Sequence, residues 1–177
     1  FRFYVDTHCL GRYYPEIGDA GYFARTVEHF VGASFPRHDE SVKRDGPLNA
    51  AGQTVNIRSS SAARDIDLGT ETAGRLSITD AELDLITSAT IRIGDTTARN
   101  INVSAAISPA NSSTLSLLAQ DPAGSISSSG AGRITVANLR LDSAGAITLN
   151  GANNVGNLAA NISGTGAALS MTNANTL

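Results

Sequence analysis

The residues best able to do chemistry fall into two groups. The first is Asp6, His8 and Cys9, with His29 and His38 further along. A metal site would need donors at Cys-x-x-Cys or His-x-x-x-His spacing, and neither occurs. Cys9 with His29 as nucleophile and base has no accompanying oxyanion or orienting motif. The second group is acidic: Asp65, Asp67, Glu71, Asp80, Glu82, Asp84 and Asp95. Clustered carboxylates could hold a cation or cleave a glycosidic bond, given a basic partner and an aromatic platform for the sugar. No aromatic residue follows Phe35, so that platform is missing. The carboxylates are read instead as solvated corners and one helical turn.

Other features carry less. The Gly-rich stretch around Gly130 and Gly132 lacks the Lys and the strand-to-helix context of a phosphate loop. The Gly-Gly-x-Gly-x-Asp calcium repeat is absent. Ser and Thr are abundant but belong to turns and strand faces. No catalytic residue, no cofactor-binding residue and no metal ligand is assigned, no cofactor is expected, and the chain is read as not an enzyme.

The composition of the 177 residues divides the chain that must position these side chains. All nine Phe and Tyr lie between Phe1 and Phe35. A charged, Pro- and Gly-bearing stretch from Pro36 to Pro47 follows and reads as a linker. Residues 1–48 are therefore taken as an unassigned N-terminal segment. One short helix is expected over Asp19 to Val31, where Tyr22, Phe23, Val27, Phe30 and Val31 recur at helical spacing. The lone cysteine excludes an intrachain disulfide. A net charge of −3, without a Lys/Arg cluster interleaved with aromatics, gives no nucleic-acid footprint. No apolar run is long enough to cross a bilayer. The chain lacks an initiator Met and breaks off within a pattern, and is expected to be an internal piece of something longer.

Residues 49–177 repeat. Short pairs of aliphatic residues flank one polar position: Val55 and Ile57, Ile66 and Leu68, Leu76 and Ile78, Ile91 and Ile93, Ile101 and Val103, Leu115 and Leu117. Ile134 and Val136, Leu139 and Leu141, Ile147 and Leu149, and Leu169 and Met171 continue them. Alternation of period two buries one face of a strand. One series, Val55, Leu76, Ile101, Ile126, Ile147 and Leu169, recurs at about 21–25 residues, as does a second through Ile66, Ile91, Leu115 and Leu139. Strands repeating at that interval predict an all-β solenoid, a right-handed parallel β-helix rising about 4.8 Å per coil. Stacked Ile, Val and Leu fill its narrow interior, and Gly forms its corners. Asn150, Asn153, Asn154, Asn157, Asn161, Asn173 and Asn175 are expected to pair between coils. Around Thr79 and Asp80 the pattern breaks. There a cap, acidic residues and Leu83 with Ile86 on one face predict a single helical turn.

The stretch from Gly132 to Gly164, beginning Gly-Arg-Ile-Thr-Val-Ala-Asn-Leu-Arg-Leu-Asp-Ser-Ala-Gly-Ala-Ile-Thr-Leu-Asn-Gly, resembles the repeats of filamentous-haemagglutinin-like adhesins. So does the phrase Leu-Ser-Ile-Thr-Asp-Ala-Glu-Leu-Asp-Leu-Ile-Thr from Leu76, with Thr-Ile-Arg-Ile-Gly from Thr90. The resemblance covers about two-thirds of the chain. It implies a structural or adhesive stalk of a large secreted bacterial surface protein, acting in attachment, aggregation or biofilm formation. It also implies export through an outer-membrane transporter, by two-partner secretion or as an autotransporter passenger. The partners it implies are glycans or proteins on host or neighbouring cells. The alternatives are a fragment of a carbohydrate-active β-helix enzyme, of lyase or glycosidase type, and a passive spacer without a ligand.

Overall fold

A computed structural model describes residues 3–7, as backbone, and residues 47–175. The protein is all-β, with one five-residue helix among the described residues. The strands are β1 (Phe3–Thr7), β2 (Leu48–Ser59), β3 (Ile66–Leu68), β4 (Leu76–Ile78), β5 (Ile86–Asp95) and β6 (Asn100–Val103). They continue with β7 (Ala106–Ile107), β8 (Ser112–Ala119), β9 (Ser125–Ser128), β10 (Arg133–Ser143), β11 (Ile147–Ile162) and β12 (Leu169–Asn173). Helix α1 (Asp80–Asp84) lies between β4 and β5.

Every strand pairing is parallel except that of β1 with β2, where Val5 stands opposite Ile57. The parallel strands form three ladders. The first runs β2, β5, β8, β10 and the end of β11, aligning Val55, Ile91, Leu115, Leu139 and Leu158. The second runs β4, β3, β6, β9, the start of β11 and β12, aligning Leu76, Ile66, Ile101, Ile126, Ile147 and Leu169. In the third, β7 pairs with the start of β10. Parallel neighbours cannot be joined by a tight hairpin. Here the chain leaves the first ladder, enters the second, and returns to the first one strand further on. The sheet thereby nearly closes on itself.

The aliphatic pairs point inward as their alternation requires. Ile66, Leu68, Ile91, Ile93, Ile101, Val103, Leu115, Leu117, Ile147 and Leu149 are fully buried, and the core holds no aromatic side chain among the described residues. The last pair differs. Leu169 is 40% exposed and Met171 only partly buried, because β12 pairs with β11 alone and nothing described stacks beyond it.

The structure corrects the two sequence series at one point. Val55 belongs to the ladder of Ile91 and Leu115, and Ile66 to that of Leu76 and Ile101. The cause is the excursion through β4 and α1. By strand register it lengthens the first return to 35 to 38 residues, where later ones take 24 to 27 and then 19 to 22. A constant period carried across that excursion assigns the earliest strands to the wrong ladder.

The helical turn stands where its cap predicts. The Thr79 side chain accepts from Glu82 N, and the Glu82 carboxylate accepts from Thr79 N at 2.8 Å, a reciprocal pair of caps. Leu83 seals the turn against the core with no exposure.

Asparagines link successive returns. Asn157 donates to Asn138 (3.0 Å), Asn161 to Asp142 (3.3 Å) and Asn175 to Asn154, while Asn150 accepts from Ser170 (3.0 Å). Asn153 is fully buried on the line of the third ladder. Its Oδ1 accepts from Ile134 N at 2.8 Å, and its Nδ2 donates to the carbonyls of Leu149, Gly151 and Thr172. A buried amide with these partners is satisfied at both ends. Asn173 repeats the pattern on Val155.

Residues 1–48 are not separate from the sheet throughout, since β1 lies along β2 and β2 begins at Leu48. The helix expected over Asp19 to Val31 lies outside the described residues.

Candidate functional site

Inward aliphatics on the first ladder leave alternate residues outward. One outward row is Thr54, Thr90, Thr114, Asn138 and Asn157. The next is Asn56, Arg92, Ser116, Arg140 and Ala159. Gly94, Leu118, Asp142 and Asn161 form a third.

Between β2 and β5 the register slips from Ala50/Ser88 to Thr54/Thr90, leaving two extra residues on β2. Gly52 takes φ +77 inside this bulge, a conformation open to glycine at little cost. The bulge walls a groove of about 530 Å³. Gly52, Gln53, Thr54, Asn56 and Arg58 of β2 line it with Arg92, Gly94 and Asp95 of β5, Thr96 and Leu118.

Three charges line the groove. Asp95 is engaged in its own turn, its Oδ1 accepting from Thr97 N (2.7 Å) and Thr97 Oγ1 (2.8 Å). Arg58 and Arg92 stand on adjacent strands. The Nε of Arg92 is buried and has no hydrogen-bond partner among the described residues. Arg140, two strands along the same row, is different. Its Nε donates to Asp142 Oδ2 at 2.7 Å, and that hydrogen bond, then the charge of Asp142, raises its pKa above the ordinary arginine value. Arg140 is neutralised locally, whereas Arg92 makes no ion pair among the described residues.

The acidic grouping of the sequence is brought to no common point. Asp67, 3% exposed, accepts from Thr72 Oγ1 (3.1 Å), Asn102 Nδ2 (3.4 Å) and Ser104 Oγ, with Arg75 at 3.7 Å. Asp65 accepts from Asn100 N and Nδ2. Asp80 accepts from Ser108 N (2.6 Å) and Oγ (3.2 Å), and Asp84 from Ala110 N (2.8 Å). Glu82 caps α1, and Glu71 is exposed. These carboxylates fasten turns to the neighbouring return. Among the described residues no three His, Cys, Asp or Glu side chains gather as a metal site would require. Asp6 lies on β1 opposite Asn56 by backbone register. Its side chain, and His8, Cys9, His29 and His38, lie outside the described residues.

Apart from Asp95, the groove residues were not among the candidate site residues that the sequence singled out. A signal for them exists in Thr54-x-Asn56-x-Arg58 and Thr90-x-Arg92, polar residues at the outward positions of strands identified by their inward ones. What alternation cannot supply is the register that sets Arg92 beside Asn56. No family model, no curated protein and no solved structure matches this chain. No described helix is long and apolar enough to cross a membrane.

Proposed function

We propose that residues 49–177 form a right-handed parallel β-helix that serves as a structural and adhesive stalk segment of a large secreted bacterial surface protein. One observation carries the reading: successive returns of the chain place aliphatic residues in register on two continuous parallel ladders. A chain that repeats this circuit extends by about 4.8 Å each time and needs no new core design. The hand follows from the rule for parallel crossovers. Its mechanism is geometric, a stiff array presenting polar faces outward.

The adhesin-like repeats support secretion and surface display, with glycans or proteins of other cells as partners. The commitment of Asp65, Asp67, Asp80, Asp84 and Asp95 to turns favours this over a carbohydrate-cleaving enzyme, which needs two carboxylates flanking one bond. Antibodies raised against the protein test the reading on intact source cells. Labelling that is lost on protease shaving is expected; labelling only after lysis overturns it.

A further inference from the structure

We propose that the groove between β2 and β5 binds an acidic saccharide, with Arg92 gripping its carboxylate or sulfate. The proposal goes beyond the stalk reading and stands without it, since the residues it uses lie on β2, on β5, in the turn after β5 and, for Leu118, on β8.

Arg92 is the first reason. A buried N–H without a partner destabilises a fold by about 1–3 kcal/mol unless something else satisfies it. Arg75 and Arg140 have carboxylate partners within the protein. Arg92 has none among the described residues, its buried Nε has no hydrogen-bond partner there, and the residue lines the groove. A planar guanidinium matches the oxygens of a carboxylate or sulfate through two parallel hydrogen bonds.

The rest of the lining points to the class of ligand. Gln53 and Thr54 offer amide and hydroxyl groups that both donate and accept, which suits a polyhydroxylated ring. Leu118 is the one large apolar side chain among the lining residues, so an acidic peptide would find little to bury its own side chains. A volume of about 530 Å³ suits a short saccharide better than a lone inorganic anion. No aromatic residue is among the described lining residues, so the negative group becomes the main determinant of affinity. Asp95, also a lining residue, repels an anion from its side of the groove.

The test is calorimetric titration of the full chain with trigalacturonate, sulfated maltotriose, neutral maltotriose and triglutamate. One or both acidic saccharides are expected to bind, and which one does so distinguishes carboxylate from sulfate. Neutral maltotriose is expected to bind at least about tenfold more weakly. Arg92→Gln should weaken acidic-saccharide binding at least about tenfold with an unchanged melting temperature, whereas Arg133→Gln, an exposed arginine on β10, should leave it unchanged. Backbone NMR of the unsubstituted protein locates the site even if Arg92→Gln fails to fold. Shifts confined to residues 52–58, 92–96 and 118 are expected. Absence of binding, equal binding of triglutamate, unaltered binding by Arg92→Gln, or shifts elsewhere overturns the proposal.

Discussion

Residues 47–142 and residues 144–175 build the same parallel ladders with different chemistry. In the first region carboxylates fasten the corners: Asp65 to Asn100, Asp80 to Ser108, Asp84 to Ala110, and Asp67 to Thr72, Asn102, Ser104 and Arg75. In the second there is no charged residue at all, and neutral amides do the joining. The returns differ too, at 35 to 38 and then 24 to 27 residues in the first region against 19 to 22 in the second. Long excursions carry more turn backbone needing partners, and a carboxylate accepting several N–H or O–H groups supplies them with charge-assisted bonds. Short excursions leave less to satisfy, and one Asn can serve donor and acceptor together. The lesson is that ladder register and corner chemistry are separable. The fold needs the corners satisfied, by either means.

Exchanging the two chemistries should expose the difference. The largest effect is expected from Asn153→Asp, which keeps the shape, removes the donors to three carbonyls and buries a charge without a counter-ion. A loss of about 4 kcal/mol or more is expected in denaturant melts at neutral pH. Desolvation raises the new carboxyl's pKa above its unfolded value, so the neutral form is favoured in the folded state. Part of the lost stability should therefore return below about pH 4, and should vanish again as pH rises.

Gly69→Ala comes next, at about 3 kcal/mol, because φ is +116 and an added Cβ would lie 2.6 Å from Ala105 Cβ and N. Gly166, in the uncharged region, has φ +75 with nothing within 4 Å, so Gly166→Ala should cost only about 1 kcal/mol. Equal losses at the two glycines would mean that the positive φ alone, and not the approach of Ala105, sets the cost at Gly69.

Asp67→Asn, the reverse exchange, should lose about 1–2 kcal/mol, since the amide oxygen still accepts but the attraction to Arg75 is gone. A loss matching that of Asn153→Asp would mean that charge matters equally in both regions. The smallest effect is expected for Thr79→Ala, about 1 kcal/mol, from removal of one cap of α1. Hydrogen exchange at Glu82 N should report it locally.

Much of this was legible along the chain, but unevenly. Ile91 and Ile93, or Ile101 and Val103, declare their burial by alternation, and Thr79 with Glu82 declares its cap by spacing alone. Asn157, Asn161 and Asn175 reach the neighbouring return as their positions predict. The ladder of Val55 and of Ile66 was misassigned, because the excursion through β4 and α1 hides where the next return begins. The groove was not legible at all, since Asn56 and Arg92 meet only through that register.

The sequence by itself determined which face of each strand is buried, the absence of aromatics from the core of the described residues, and the helical turn at Asp80. These depend on neighbours two to four residues away, where backbone geometry leaves few choices. Only the tertiary structure decided which strands became neighbours, which carboxylates were absorbed into corners, and that Arg92 was left without a counter-ion among the described residues. Those outcomes depend on pairings between returns 19 to 38 residues apart, fixed by the length of what lies between and by no local pattern.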